Sequence, residues 1–481
     1  MTTHTQTPPT TEPASDWRHR ADEAVAALGQ RKDAWARLPI HAKIDHLRAL
    51  RVNTAAQAQR WVRAACAAKG LDPEAALAGE EWTSGPWALL FGINRLIETL
   101  EAVARAGSPR LRRNAVHTRP DGQVVVDVFP QNAWDRLLLS GVSAQVWMQP
   151  GVTAASLADT MAVFYKQAQP QGALVLVLGA GNIASIAPLD VLYKLYAEGH
   201  VCLLKMNPVN EYLGPILEDI FRDLVTDGFV GFAYGSAEVG EYLTRHQGID
   251  EIHITGSART HDAIVFGSGA EGEARKARKQ PVSSKRMSSE LGNVSPTIVV
   301  PGPWSPRDLQ FQAAHIATQK LHNAGFNCIA SQVVITHADW ALREPLLHAV
   351  TGALSSAPRR PAYYPGAEQR QRMLAGAHSD AQLLGGDDTA PVTLIAGLDS
   401  AATGDVCFTT EAFAGVLGET GIAAAGVDEY LDRAVDFCNE HLWGTLGANI
   451  IIDPVTARRH ASALDRAIAR LGRVSASCSR R

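Results

Sequence analysis

What this 481-residue sequence lacks removes several kinds of function at once. It has no excess of one charge: 45 Lys and Arg stand against 49 Asp and Glu, a net charge of -4. Nothing therefore draws it as a whole to nucleic acid or to an anionic membrane, and small molecules are the better partners. Its six cysteines (Cys66, Cys202, Cys328, Cys407, Cys438, Cys478) never fall in CxxC spacing, so neither a disulfide framework nor a zinc site is expected, and no other metal. That pattern fits a reducing cytoplasm. No apolar run is long enough to span a bilayer either. The most apolar stretch, GALVLVLGAGNIASIAPL, is broken by Gly, Pro and Asn and changes midway from a strand to a helix pattern, so it is core. The opening MTTHTQTPPTTEPASD has no apolar centre to act as a signal peptide and reads as a disordered tail over 1–16. There is no internal repeat.

What is present is ordinary for a globular protein: 46% apolar and 20% charged residues, enough for two or three domains. Residues 17 to about 108 carry apolar positions at helical spacing, in Asp33 to Ala49 and Trp87 to Ala104 for example. From about 115 short alternating runs take over, with VVVDVFP (124–130) and SAQVWMQP (143–150) predicted as strands. Between 172 and 300 the strand patterns ALVLVLG, VCLLK, FVGFAYG and EIHIT alternate with helices. This implies an α/β fold with a parallel sheet covered on both faces, of the doubly wound, nucleotide-binding type. A second α/β pattern follows from 291, with a helix at 306–322, SQVVIT, a helix at 427–440 and GANIIID. The basic stretch Glu271 to Arg286 reads as a solvated loop.

Four segments carry candidate chemistry. LGAGNIAS (178–185) follows a buried strand and opens a helix, and Gly179-x-Gly181-x-x-Ala184 matches the dinucleotide fingerprint in form. The acidic residue that fingerprint requires on the next strand is replaced by Lys205, so the cofactor carries a 2'-phosphate or the loop does another job. At a second strand-to-helix junction, HITGSART, Gly256 allows close backbone approach and Ser257 is an N-cap whose helix start binds phosphate. Glu290, in SSELGNVSP at the joint of the two domains, is a candidate general base. Cys328, in HNAGFNCIASQ, follows a bend and is a candidate nucleophile, while His322 is better read as a helix-end residue than as its dyad partner.

Taken in order, these segments resemble those of the aldehyde dehydrogenase superfamily. LGAGNIAS is similar to the segment bearing the oxyanion-hole asparagine, here Asn182, and CLLKMNP to the cofactor-side lysine segment, here Lys205. ITGSART resembles the Thr-Gly-Ser motif, SSELGNVSP the Glu-Leu-Gly-Gly segment and NAGFNCIAS the Gly-Gln-x-Cys segment. TEAFAGVL resembles Glu-x-Phe-Gly-Pro, which puts Glu411 on the nicotinamide ribose and Phe413 beside the ring. The resemblance, over roughly 30–455, implies a Rossmann-type NAD(P)-binding domain over 17–290, with a hairpin insertion at about 118–150 for oligomerisation, and a catalytic domain over 291–453. It further implies oxidation of an aldehyde to a carboxylic acid by NAD or NADP: Cys328 attacks, Asn182 holds the oxyanion, Glu290 activates the hydrolytic water, and Gly256 and Ser257 border the pyrophosphate.

Four departures bear on these expectations. Phe326 stands where the family has Gln, Asn293-Val294 replaces Gly-Lys, and Pro208 replaces the glutamate that favours NAD, which leaves room for NADP. The 28 residues after Asp453 read as a short, polar, strand-poor tail (454–481), so an exposed sheet edge and a weakened homo-oligomer interface are expected. Two alternatives stay open: a CoA-dependent acyl reductase or acylating dehydrogenase, which the helix carrying Asp190 also resembles, and a non-catalytic nucleotide-binding remnant.

Overall fold

In the computed structural model, residues 14–384, 390–473 and 475–479 are described. The tail expected over 1–16 lies outside them as far as residue 13, and a helix already runs from Ala14 to Ala36. Long helices Ile40–Ala68 and Ala88–Ala106 follow. No helix among the described residues is long and apolar enough to cross a membrane.

Strands β1 (Val116–Thr118), β2 (Val124–Phe129) and β3 (Ala144–Trp147) form a small antiparallel sheet in that order. The short helix Ala133–Leu138 between β2 and β3 holds Trp134, Leu137 and Leu138 in solvent, each about 70% exposed.

The first large sheet is parallel, with β4 (Leu174–Leu178), β5 (Val201–Lys205), β6 (Val230–Ala233), β7 (Glu251–Gly256) and β8 (Arg286–Leu291) in the order β6-β5-β4-β7-β8. Central β4 and β5 are apolar on both faces because helices cover both. Strands β7 and β8 alternate instead, pairing Glu251 with Arg286, His253 with Ser288 and Thr255 with Glu290. Strand order reverses between β4 and β7, and in such a sheet the crevice for a ligand opens there, beyond the carboxyl ends of the strands. The residues beyond those ends are Gly179–Asn182 and Gly256–Ser257.

Strands β9 (Ser295–Val299), β10 (Ser331–His337), β11 (Gln382–Leu384), β12 (Val392–Leu398), β13 (Val416–Ile422), β14 (Gly447–Ile451) and β15 (Ser475–Ser479) make the second sheet. Its order is β11-β12-β13-β10-β9-β14-β15, with only β11 antiparallel to its neighbour. The change of sheet falls between Leu291 and Ser295.

The tail corrects one expectation. After Asp453 come helices Pro454–Arg459 and Ala461–Arg470, and then β15, parallel to β14 from Gly447 to Ile451. The edge expected to be bare is therefore covered by the segment expected to lack a strand. Small polar residues such as those of SASCS are poor strand formers, and here a preformed edge supplies the pairing that propensity does not. Arg473 secures the turn before β15: its guanidinium donates to Asn293 Oδ1 (2.9 Å) and to the carbonyls of Gly444 and Cys438.

Candidate functional site

A cavity of about 1070 Å³ opens between the two large sheets. All eight residues singled out from sequence line it: Asn182, Lys205, Gly256 and Ser257 from the first sheet, Glu290 from its edge, and Cys328, Glu411 and Phe413 from the second half.

Cys328 lies just before β10, on a loop that is held tightly. Helix Pro306–Leu321 ends there, and Asn323, Ala324 and Gly325 all take positive φ (53°, 56° and 81°). Gly325 is required, since a Cβ would sit 2.6 Å from the Ala414 carbonyl oxygen. The Phe326 carbonyl accepts from two amides, Asn182 Nδ2 and Asn323 Nδ2, both at 3.0 Å. Asn182 thus ties the first sheet's loop to the cysteine loop and keeps one amide proton for the cavity. The loop bearing Asn182 is fixed in turn by Asn210 Nδ2 donating to Ala180 O (2.8 Å), and Gly181 leaves room for Asn207, which a Cβ would meet at 2.6 Å.

Below this junction the buried Lys69 ends helix Ile40–Ala68 and forms an ion pair with Glu81 (2.8 Å). Its ammonium also donates to Asn323 Oδ1 (3.0 Å) and Asn182 O (3.4 Å), and Tyr363 OH donates to Asn182 O (3.0 Å). Phe326 is buried against Tyr363, Tyr364 and Phe413, at ring separations of 5.0, 5.6 and 5.7 Å. Its ring packs into this aromatic cluster and forms none of the cavity wall.

Burial sets the electrostatics of the site. Burial, helped by the carboxylates of Glu290 and Glu411, pushes the Cys328 thiol up to about 12. Burial and the nearby Asp190 raise Glu290, with His253 opposing. Burial lifts Glu411 to about 7 against the Asn293 amide, which donates to it at 3.4 Å, and against Lys320. Lys320 is itself buried and makes no hydrogen bond among the described residues, and burial lowers it to about 7 with Glu411 opposing. Gly292 lets the Glu411 carboxylate approach: a Cβ there would meet Oε2 at 2.1 Å.

On the first sheet's side Ser257 caps helix Ala258–Phe266, its Oγ accepting from Thr260 N at 3.2 Å. Lys205 is buried with its ammonium on the Gly235 carbonyl, and Pro208 lines the wall beside it. Arg245, Arg259, Arg275 and Lys285 add positive charge. The stretch 271–286, expected as a solvated loop, is helical over Gly269–Ala277, and its Arg275 and Lys285 face the cavity. His322 Nδ1 pairs with Asn327 Nδ2 at 3.3 Å, not with Cys328.

A model of the aldehyde dehydrogenase family matches residues 143–367, which contain Asn182, Glu290 and Cys328. Over that stretch, just under half of the chain, the sequence is similar to the aldehyde dehydrogenase family. Among curated relatives, aldehyde dehydrogenase LUC3 of a Fusarium species is 27% identical over 170 residues, 35% of this chain and 33% of that protein. The match thus spans about a third of that relative's length. The fold extends much further. Aldehyde dehydrogenase C from Pseudomonas syringae, solved with NAD+ and octanal, superposes with a TM-score of 0.64 at 15% identity over 96% of this chain and 81% of that one. GapN, the glyceraldehyde-3-phosphate dehydrogenase of Methanocaldococcus jannaschii solved with NADP, gives 0.63 at 14% identity over 98% and 87%.

Within this aldehyde dehydrogenase fold, several site residues carry no signal in their own sequence. Lys69, Glu81, Tyr363 and Lys320 lie in helices or loops whose local patterns are unremarkable, and they reach the site only through tertiary packing. Asn323 could have been suspected, since it sits five residues before Cys328 at a bend that favours Asn in the left-handed region.

Proposed function

We propose that this protein oxidises an aldehyde to a carboxylic acid through a thioester on Cys328, with NAD or NADP. The convergence of Cys328, Glu290 and Asn182 on one cavity, from three separate stretches of chain, carries the reading. The cavity also fits a dinucleotide. It is large enough, a capped helix start at Ser257 aims free amides at it, and its wall holds six basic side chains. With Lys205 and Pro208 in place of a ribose-binding carboxylate, a 2'-phosphate is accommodated, so NADP is accepted at least as well as NAD. When bound, the nicotinamide supplies the hydride acceptor.

The resting thiol holds its proton, so attack needs a base, and Glu290, whose hold on a proton burial strengthens, takes it. As the sulfur–carbon bond forms, the second amide proton of Asn182 and the Cys328 backbone amide receive the developing oxyanion. Once the thiol's proton has left it, Glu290 removes one from the water that cleaves the thioester, and the sulfur leaves as thiolate and regains this proton from Glu290. Glu411, beside Gly292, is placed to hold a ribose hydroxyl, with Phe413 nearby as an apolar wall. The exposed Trp134, Leu137 and Leu138 support docking of the small sheet on a second copy of the chain.

The test is an aldehyde panel with NAD or NADP, with and without CoA, followed by absorbance of the reduced cofactor. Aldehyde-dependent reduction without CoA, abolished in Cys328→Ala, is expected. A folded wild-type protein that reduces neither cofactor refutes the reading, and reduction that requires CoA transfers it to the acylating reaction.

A further inference from the structure

Strands β7 and β8 present their alternating polar residues to helix Ile186–Tyr196, and the three elements enclose a polar seam that starts beside Glu290. At the cavity end Thr255, the register partner of Glu290, donates to Asp190 Oδ2 at 2.9 Å. One rung down, His253 Nε2 lies 3.5 Å from the same Asp190 oxygen and from Thr255 Oγ1, and its Nδ1 meets Ser288 Oγ at 2.9 Å. Ser288 in turn reaches Glu251 Oε1 (3.5 Å) and accepts from the buried Lys194 (3.0 Å). Lys194 also binds Glu251 (2.6 Å) and Glu198 (3.1 Å). The far end opens at Arg286, 62% exposed, which bonds both carboxylates, with His200 beside them at 3.5 and 3.6 Å. On the other flank β4 offers His253 and Glu251 only valines.

A buried ionic array of this size is an expensive way to pack a helix on a sheet, since apolar residues of equal volume are often as stable or better. Its run from Thr255 and Asp190, beside the cavity carboxylate Glu290, to the surface is what packing leaves unexplained. We propose that the seam is a proton exit for Glu290, running by Asp190, His253 and Ser288 to Glu251 and Glu198. The inference rests on the hydrolytic reading above. In that step the water's oxygen bonds the acyl carbon, the C–S bond breaks to thiolate, and the water's proton passes through Glu290 back to the sulfur. The proton that Glu290 took earlier from the Cys328 thiol must therefore leave before hydrolysis can begin. Glu290 is exposed to the open cavity, and the seam is the route that remains to it when substrate and cofactor fill that space. Asp190, His253 and Ser288 are then positioning residues that act through Glu290.

The experiment compares the full-length wild type with His253→Gln, Asp190→Asn and Ser288→Ala, the last the mildest substitution should the others fail to fold. Cofactor reduction is followed in the steady state across pH, and the acyl adduct on Cys328 is weighed in the intact protein. In the variants kcat falls about tenfold or more, the adduct accumulates, the pH profile is displaced, and added imidazole restores the rate in proportion to its concentration. Unchanged kcat overturns the proposal. So does a fall without adduct or without rescue by imidazole, which marks a structural role. Absence of aldehyde-dependent cofactor reduction in the wild type is a separate result, refuting the oxidation reading and the exit together.

Discussion

Lys320 is a cation in the wrong place for stability, and replacing it with methionine measures the cost. The ammonium is buried at the end of helix Pro306–Leu321, without a hydrogen bond among the described residues, with Glu411 as its opposing charge. Its fall from the ordinary 10.5 to about 7 corresponds, at about 1.4 kcal/mol per tenfold change, to a penalty on the order of 5 kcal/mol for keeping it charged. Below pH 7 the folded and unfolded chains both hold the proton and the full penalty applies. Between 7 and 10.5 only the unfolded chain holds it, so wild-type stability climbs with pH across that window. Lys320→Met removes both the penalty and the climb. Allowing for relaxation, a gain of about 1–4 kcal/mol near pH 7 is expected, fading towards pH 10. Urea midpoints for the two proteins at intervals from pH 6.5 to 10 read this directly. A variant that is destabilised at pH 7, or that retains the wild-type slope above it, refutes the reasoning. Since Lys320 also holds Glu411 down, the variant's Glu411 should ionise at higher pH, which moves the alkaline rise of cofactor affinity upward.

Three other outcomes follow from the same geometry. Gly292→Ala forces the Glu411 carboxylate aside and should raise the KM for cofactor about tenfold, by the loss of one charge-assisted hydrogen bond, while the urea midpoint moves little. Lys69→Met leaves Glu81 charged and buried and should cost about 3–5 kcal/mol in urea unfolding, whereas the double variant with Glu81→Gln should recover part of it; a double variant no better than the single contradicts the pairing. With its thiol near 12, Cys328 should react with iodoacetamide at pH 7 on the order of a thousandfold more slowly than a free cysteine, speeding up about tenfold per pH unit, as peptide mass spectrometry can follow.

The helices and parallel strands were legible because burial on both faces writes continuous apolar runs, as in LVLVL of β4, and because capped junctions such as Ser257 carry their own signal. The lining residues were legible only through the order of their motifs, since nothing local distinguishes Cys328 from the buried Cys202 or Cys438. Three features were not. β15 forms on an edge that already exists, and its own residues favour no strand. The aromatic setting that accepts Phe326 comes from Tyr363 and Tyr364, 37 and 38 positions away, so the residue looked like a lost glutamine and proves to be a packed one. The polar face of β7 and β8 was hidden because EIHIT alternates like a half-exposed strand, whereas a helix with its own Asp190 and Lys194 covers it.

The position of β15 also has a bearing on biosynthesis. Residues 475–479 leave the ribosome after every other strand of their sheet, so β14 waits with a bare edge until they arrive. Arg473 arrives with them, and until then Asn293, three residues beyond Glu290, lacks that clamp. Nascent chains in this interval expose a ready template for pairing with one another. Yield in a host should therefore respond to translation speed and chaperone supply more steeply than the stability of the finished protein would suggest.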